Sequence, residues 1–89
     1  MLNIGIIGCG GIGTHHAKVV SEMRDVALVG VADPIKEKAD KLANDLFTTS
    51  FADYRDLIPY VDAVMVCTPP YERADIVVDC ALAGVQIFV

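Results

Sequence analysis

The sequence predicts an α/β protein built on a doubly wound parallel sheet, and two observations carry that prediction. Apolar runs of strand length, Ile4–Ile7, Val26–Ala32 and Ala63–Cys67, alternate with segments whose apolar residues recur every three or four positions. Strand–helix alternation of this kind implies right-handed crossovers between parallel strands. The runs are also almost wholly apolar, as strands covered on both faces must be. A hydrophobic share of 54% in 89 residues fits one small domain, residues 1–89, with both faces of its sheet covered.

Each element follows from a local pattern. Ile4–Ile7 reads as the first strand. From Ile12 the spacing Ile12, His16, Val20, Met23 marks one face of a helix. Arg24-Asp25 breaks it, and Val26–Ala32 is the second strand. Pro34 suits the first turn of the next helix, where a missing N–H is not needed. Ile35, Ala39, Leu42, Ala43 and Leu46 form that helix's inner stripe, and Lys36, Glu37, Lys38, Asp40 and Lys41 its solvated outer face. A short third strand ends at Phe51, and Asp53–Leu57 makes one helical turn that Pro59 prevents from continuing. Ala63–Cys67 is the fourth strand, closed by Thr68-Pro69-Pro70. Ala74, Val77, Val78, Ala81 and Leu82 are expected to be the inner stripe of the last helix. Gly84 stops it, and Gln86–Val89 begins a final strand.

The first strand empties into Gly8-Cys9-Gly10-Gly11-Ile12-Gly13, and Asp33 closes the second strand twenty positions later. Glycines at these places allow a tight turn off the strand, a close approach of backbone to a pyrophosphate, and close packing of helix on sheet. The start of the helix adds free N–H groups and the positive end of its dipole. Gly8, Gly10, Gly11, Ile12 and Gly13 are therefore candidate contacts to a dinucleotide, although a bare strand-to-helix turn also needs glycine. Asp33 has two readings as well. It is placed to hold a ribose 2′-hydroxyl, and an Asp before Pro also caps helices. As a ribose ligand it would repel a 2′-phosphate, which favours NAD over NADP, with Lys36 as a nearby counterweight. In the doubly wound order, the glycine loop, Asp33 and Thr68-Pro69-Pro70 all fall at the carboxyl ends of the strands.

Other function classes are disfavoured. A net charge of −5 argues against a nucleic-acid backbone as partner. No apolar run approaches the ~20 residues that span a bilayer. The start, Met1-Leu2-Asn3, lacks a basic leader region, so a cytoplasmic location is expected. Cys9, Cys67 and Cys80 are odd in number and lack CxxC spacing, which suggests packing roles and no metal site. His16 shares the inner helix face and reads as a core residue, and His15 as exposed. Neither has a nucleophile or carboxylate at a catalytic spacing. No catalytic residue is assigned.

The stretch Ile4–Gly13 with His16 resembles the opening of the glucose–fructose oxidoreductase / inositol dehydrogenase / MocA-like family. Gly30-Val31-Ala32-Asp33-Pro34, Val66-Cys67-Thr68-Pro69-Pro70 and Ala81-Leu82-Ala83-Gly84-Val85 resemble its later segments in order and spacing. The resemblance covers essentially the whole chain. It implies a Rossmann NAD(P)-binding fold, NAD(H) as ligand, and Thr68, Pro69 and Pro70 as a loop against the cofactor. It also implies hydride transfer between nicotinamide and a hydroxyl-bearing carbon of a sugar, cyclitol or derivative. A Glu-Lys-Pro motif and a C-terminal substrate domain follow in the family. The chain is thus expected to be a partial enzyme that meets its small-molecule substrate only with that domain. Relatives often carry histidine where Arg73 stands here. The alternative is a stand-alone NAD(H)-sensing module without catalysis. The apolar edge Gln86–Val89 further predicts self-association.

Overall fold

The computed structural model describes all residues, Met1–Val89. The elements run β1 (Leu2–Ile7), α1 (Gly11–Ser21), β2 (Val26–Ala32), α2 (Lys36–Leu46), β3 (Thr49–Phe51), α3 (Tyr54–Leu57), β4 (Ala63–Val66), α4 (Arg73–Leu82) and β5 (Gln86–Phe88). Short 3-10 turns, Ile58–Tyr60 and Pro70–Glu72, precede β4 and α4. The five strands are parallel in the order β3-β2-β1-β4-β5. The chain therefore reverses its direction of winding between β1 and β4, which opens a crevice at their carboxyl ends.

Alternation along the strands divides the core into two layers. Ile4, Ile6, Val31 and Ala63 face α1 and α2, with Ala17, Val20, Ala39 and Leu42 above them. Ile7, Ala32, Val64 and Val66 face the other side and pack with Leu57, Ile76, Cys80 and Val85. Burial on both sides explains the nearly unbroken apolar strands. Gly30 and Gly5 make room for Leu57, which is fully buried. A Cβ on Gly5 would lie 2.7 Å from Leu57, and one on Gly30 would lie 2.6 Å from Phe51 and 2.9 Å from Leu57.

Three expectations need correction. The inner face of α1 is Gly13, Ala17 and Val20. Ile12, 69% exposed, and Met23 lie outside, and His16 is half-buried at the margin. The face is chosen by closeness of approach at Gly13, not by apolarity. The inner face of α4 is Ile76 and Cys80, while Ala74, Val78, Ala81 and Leu82 are exposed. Apolar residues stand all round this helix, so periodicity alone did not fix its rotation. Pro34 lies before α2, not in its first turn: the helix starts at Lys36, with the Ile35 carbonyl accepting the N–H of Lys38 at 3.1 Å.

Candidate cofactor site at the strand ends

The glycines of the loop fall into two groups. Gly8 has φ +100°, and a Cβ there would lie 2.9 Å from the Cys67 carbonyl group. A Cβ on Gly13 would lie 1.7 Å from the Gly8 oxygen. These two residues are required by the turn and by the seating of α1 against it. At Gly10 and Gly11 an added Cβ would meet nothing within 4 Å. The protein itself makes no use of that space, and bare backbone faces it. Gly10 occupies the N-cap position of α1 with no side-chain cap, and no acid stands in the first turn. The Ile12 side chain points outward, so its contribution to a ligand would be its backbone N–H.

Asp33 is buried at the end of β2. Its Oδ2 accepts the N–H of Cys9 at 2.8 Å, and its Oδ1 accepts the N–H of Ile35 at 2.8 Å. The carboxylate thus ties the glycine loop to the exit of β2 and closes a local turn two residues long; it does not cap α2. A carboxylate has about four acceptor positions, so capacity for a ribose hydroxyl remains after these two bonds. The Cys9 thiol points at the Ala32 carbonyl, 3.6 Å away. Burial, and then the charges of Asp33 and Cys67, push it up to about 12. Burial also raises the Cys67 and Cys80 thiols. Such thiols are poor nucleophiles, in keeping with packing roles.

Thr68 is 7% exposed, and its Oγ1 has no hydrogen-bond partner. An orphaned buried hydroxyl is costly unless something satisfies it. The Thr68 carbonyl accepts the Arg73 Nε–H at 3.1 Å, which fixes the loop to the start of α4. Pro69 and Pro70 are exposed beyond it. Asp33 and Thr68 line one cavity of about 500 Å³, together with Ile7, Ala32, Tyr71 and Asp75. Its size is within the ordinary range for small-molecule sites. The glycine loop borders a second groove of about 370 Å³, whose opposite wall carries Lys38 and Lys41 of α2. Lys36 takes no part, since it pairs with Asp40 at 2.7 Å on the outer face.

Sequence reasoning missed one structural group. Tyr54 donates a short hydrogen bond to Asp79, and Arg55 lies 3.4 Å from the same carboxylate and over the Tyr54 ring. Burial, then the bond to Asp79, push the Tyr54 phenol up to about 12. This group joins α3 to α4 beside the larger cavity, which Tyr54 and Arg55 line. Twenty-five residues separate Tyr54 from Asp79, so no local pattern could have paired them.

The residues present fit a dinucleotide: open space over two bare glycines, a buried acid with spare acceptor capacity, and an unsatisfied hydroxyl beside it. Comparison with known proteins agrees. Residues 2–89 match the family described as the GFO_IDH_MocA oxidoreductase family, NAD-binding Rossmann fold. The scyllo-inositol 2-dehydrogenase (NAD(+)) of Bacillus subtilis is 35% identical over 88 residues, covering 94% of this chain and 26% of its own length. The inositol 2-dehydrogenase of Rhizobium meliloti is 36% identical, covering 98% of this chain and 27% of its own. The structure of a UDP-N-acetylglucosamine 3-dehydrogenase from Acidithiobacillus ferrooxidans superposes with a TM-score of 0.90 at 30% identity, over 97% of this chain and 28% of that one. The chain thus spans roughly a quarter of the length of these relatives. No helix is long and apolar enough to cross a membrane.

Proposed function

Because the chain belongs to the GFO_IDH_MocA oxidoreductase family, with its NAD-binding Rossmann fold, we propose that it is the cofactor-holding part of a dehydrogenase. The enzyme would act on a hydroxyl-bearing carbon of a sugar, cyclitol or derivative. NAD, when bound, supplies the hydride acceptor; the protein's share is to hold and orient it. In this reading the N–H groups of Gly11, Ile12 and Gly13 receive the pyrophosphate over the bare backbone of Gly10 and Gly11. Asp33 accepts a ribose hydroxyl with the acceptor positions that Cys9 and Ile35 leave free. The Thr68–Pro70 loop bounds the cofactor on the side of β4, and the Thr68 hydroxyl gains a partner.

The observation that supports this reading most strongly is the division of the glycines. Gly8 and Gly13 are accounted for by packing, whereas Gly10 and Gly11 are not. Residues 1–89 form one dinucleotide-binding domain in this reading, and the substrate's contacts lie elsewhere in the enzyme. Self-association through β5 and the outer face of α4 belongs to the same proposal, as does a cytoplasmic location. The test is a titration of isotope-labelled protein with NAD, following backbone amide shifts. Saturable shifts at Gly10–Gly13 and around Asp33 are expected. Unchanged amides at saturating NAD would overturn the reading.

A further inference from the structure

The cavity of about 500 Å³ lies between two walls that belong to opposite halves of the sheet. Residues 52–55, where β3 passes into α3, form one wall; Tyr71, Glu72, Asp75 and Ile76, around the start of α4, form the other. β2 and β1 stand between β3 and β4, so no strand ladder joins the walls directly. Asp33 goes with the first wall, because its N–H donates to the Phe51 carbonyl at 3.1 Å. Thr68, whose buried hydroxyl has no partner, goes with the second, since its carbonyl accepts from Arg73 of α4. A ligand that meets both Asp33 and Thr68 must span from one wall to the other.

One side-chain group holds the spacing of those walls. α3 is a single turn of four residues, too short to be rigid by itself. Leu57 seats it in the core layer with Ile76 and Cys80, through apolar contact that has no preferred direction. Tyr54 donates to the Asp79 carboxylate, and the Arg55 Nε lies 3.4 Å from the same Oδ2. Asp53 caps α3 by accepting the Arg55 N–H at 2.9 Å, and its Oδ2 holds the Arg55 Nη1 at 3.5 Å. No other hydrogen bond or ion pair runs from α3 to α4. A hydrogen bond to a carboxylate is about twice as strong as a neutral one. Asp79 stands one turn beyond Asp75 on the same face of α4, and it does not line the cavity.

We propose that Asp79, acting through Tyr54 and Arg55, is a positioning residue for the bound dinucleotide: it fixes α3 at the distance from α4 at which one ligand meets both Asp33 and Thr68. Asp79 touches no ligand itself, and its effect on binding passes through the Tyr54 hydroxyl. This role rests on the reading of Asp33 and Thr68 as cofactor contacts.

NAD titrations of the wild type, Asp79→Ala, Asp79→Asn, Tyr54→Phe and the Tyr54→Phe/Asp79→Ala double variant test it, with thermal unfolding of each measured alongside. Asp79→Ala is expected to weaken NAD by about tenfold, the size of one lost charge-assisted bond, although the residue lies outside the cavity. Asp79→Asn keeps an acceptor for the Tyr54 hydroxyl and is expected to stay within about threefold of the wild type. The double variant is expected to bind no more weakly than Asp79→Ala alone, because both changes break one bond. A Tyr54 hydroxyl that touched the ligand directly would give additive losses. The removal of a negative charge would act alike in Asp79→Ala and Asp79→Asn, and would tighten an anionic ligand. Should Asp79→Ala not fold, the contrast between Tyr54→Phe, weakened by about fivefold or more, and Asp79→Asn decides the matter. NAD affinity unchanged in a folded Asp79→Ala, equal effects of Ala and Asn, or additive losses would overturn the proposal. Absence of NAD binding to the wild type would instead overturn the function proposed above, and this inference with it.

Discussion

Asp33 and Cys9, twenty-four residues apart, are joined by a 2.8 Å hydrogen bond from the Cys9 N–H to the Asp33 carboxylate. The bond is buried, and the second carboxylate oxygen holds Ile35. One side chain therefore shapes the glycine loop and the exit of β2 before any ligand arrives. Asp33→Ala leaves the Cys9 amide without its partner, which costs about 1–3 kcal/mol for a buried donor. Urea unfolding should report that loss, and NAD affinity should fall in the same variant. A variant of wild-type stability would show that the loop does not depend on this bond.

The loop glycines should separate by assay. Gly13→Ala drives a Cβ into the Gly8 oxygen and is expected to abolish folding or cost about 4 kcal/mol or more. Gly11→Ala meets no protein atom and should change stability by less than about 1 kcal/mol, since alanine is the better helix former. NAD binding should nonetheless weaken in Gly11→Ala. Unaltered binding there would mean that the open space is not used by the cofactor.

Alkaline conditions should destabilise the fold in a defined window. Burial, then Asp33 and Cys67, raise the Cys9 thiol from 9.0 to about 12. Burial, then the bond to Asp79, raise the Tyr54 phenol from 10.0 to about 12. In both cases the unfolded chain gives up its proton at lower pH than the folded one. The stability these groups contribute is complete below about pH 9 and is lost as pH rises toward about 12. Thermal midpoints measured from pH 8 to 11 should fall, and less steeply in Cys9→Ala and Tyr54→Phe. Parallel curves for all three proteins would refute the assignment.

Phe47 sits at φ +56° at the C-terminal end of α2, and its side chain is 97% exposed. A left-handed conformation strains a residue with a Cβ, and no packing is lost by removing this ring. Phe47→Gly is therefore expected to stabilise the protein by about 0.5–1 kcal/mol in denaturant unfolding, the strain relieved exceeding glycine's entropic cost. A destabilised variant would show that the ring has a partner in solution.

β5 is an edge strand, and the neighbouring α4 turns Val78 and Leu82 to solvent. Open edges beside apolar surface recruit partners. Sedimentation should show association that grows with concentration and that Leu82→Lys and Val78→Lys reduce. A monomer at every concentration would count against this surface as a contact.

Much of the architecture was legible in the chain. Val26–Ala32 could be bounded to the residue because an apolar β-branched run ends at an acid and a proline. The αL residue Gly84 marked the end of α4, and the glycine loop and Asp33 were visible at successive strand ends. These features are local: a few neighbouring residues state them, and backbone sterics enforce them. What the tertiary structure alone decided were matters of rotation and distance. α4 carries Ala74, Ile76, Val77, Val78, Cys80, Ala81 and Leu82, so its pattern names no unique inner side. Only the packing of Ile76 and Cys80 into the core layer of Leu57, Val64 and Val66 chose one. Four glycines of one motif look alike in sequence, yet Gly8 and Gly13 are pressed against backbone while Gly10 and Gly11 face open space. Lys36 and Lys38 differ by two positions on one helix, and the turn of that helix alone sends one to Asp40 and the other to the groove. Periodicity fixes which elements form, because it reflects backbone geometry. Which atoms meet across them depends on how closely two surfaces approach, and no short stretch of sequence encodes that distance.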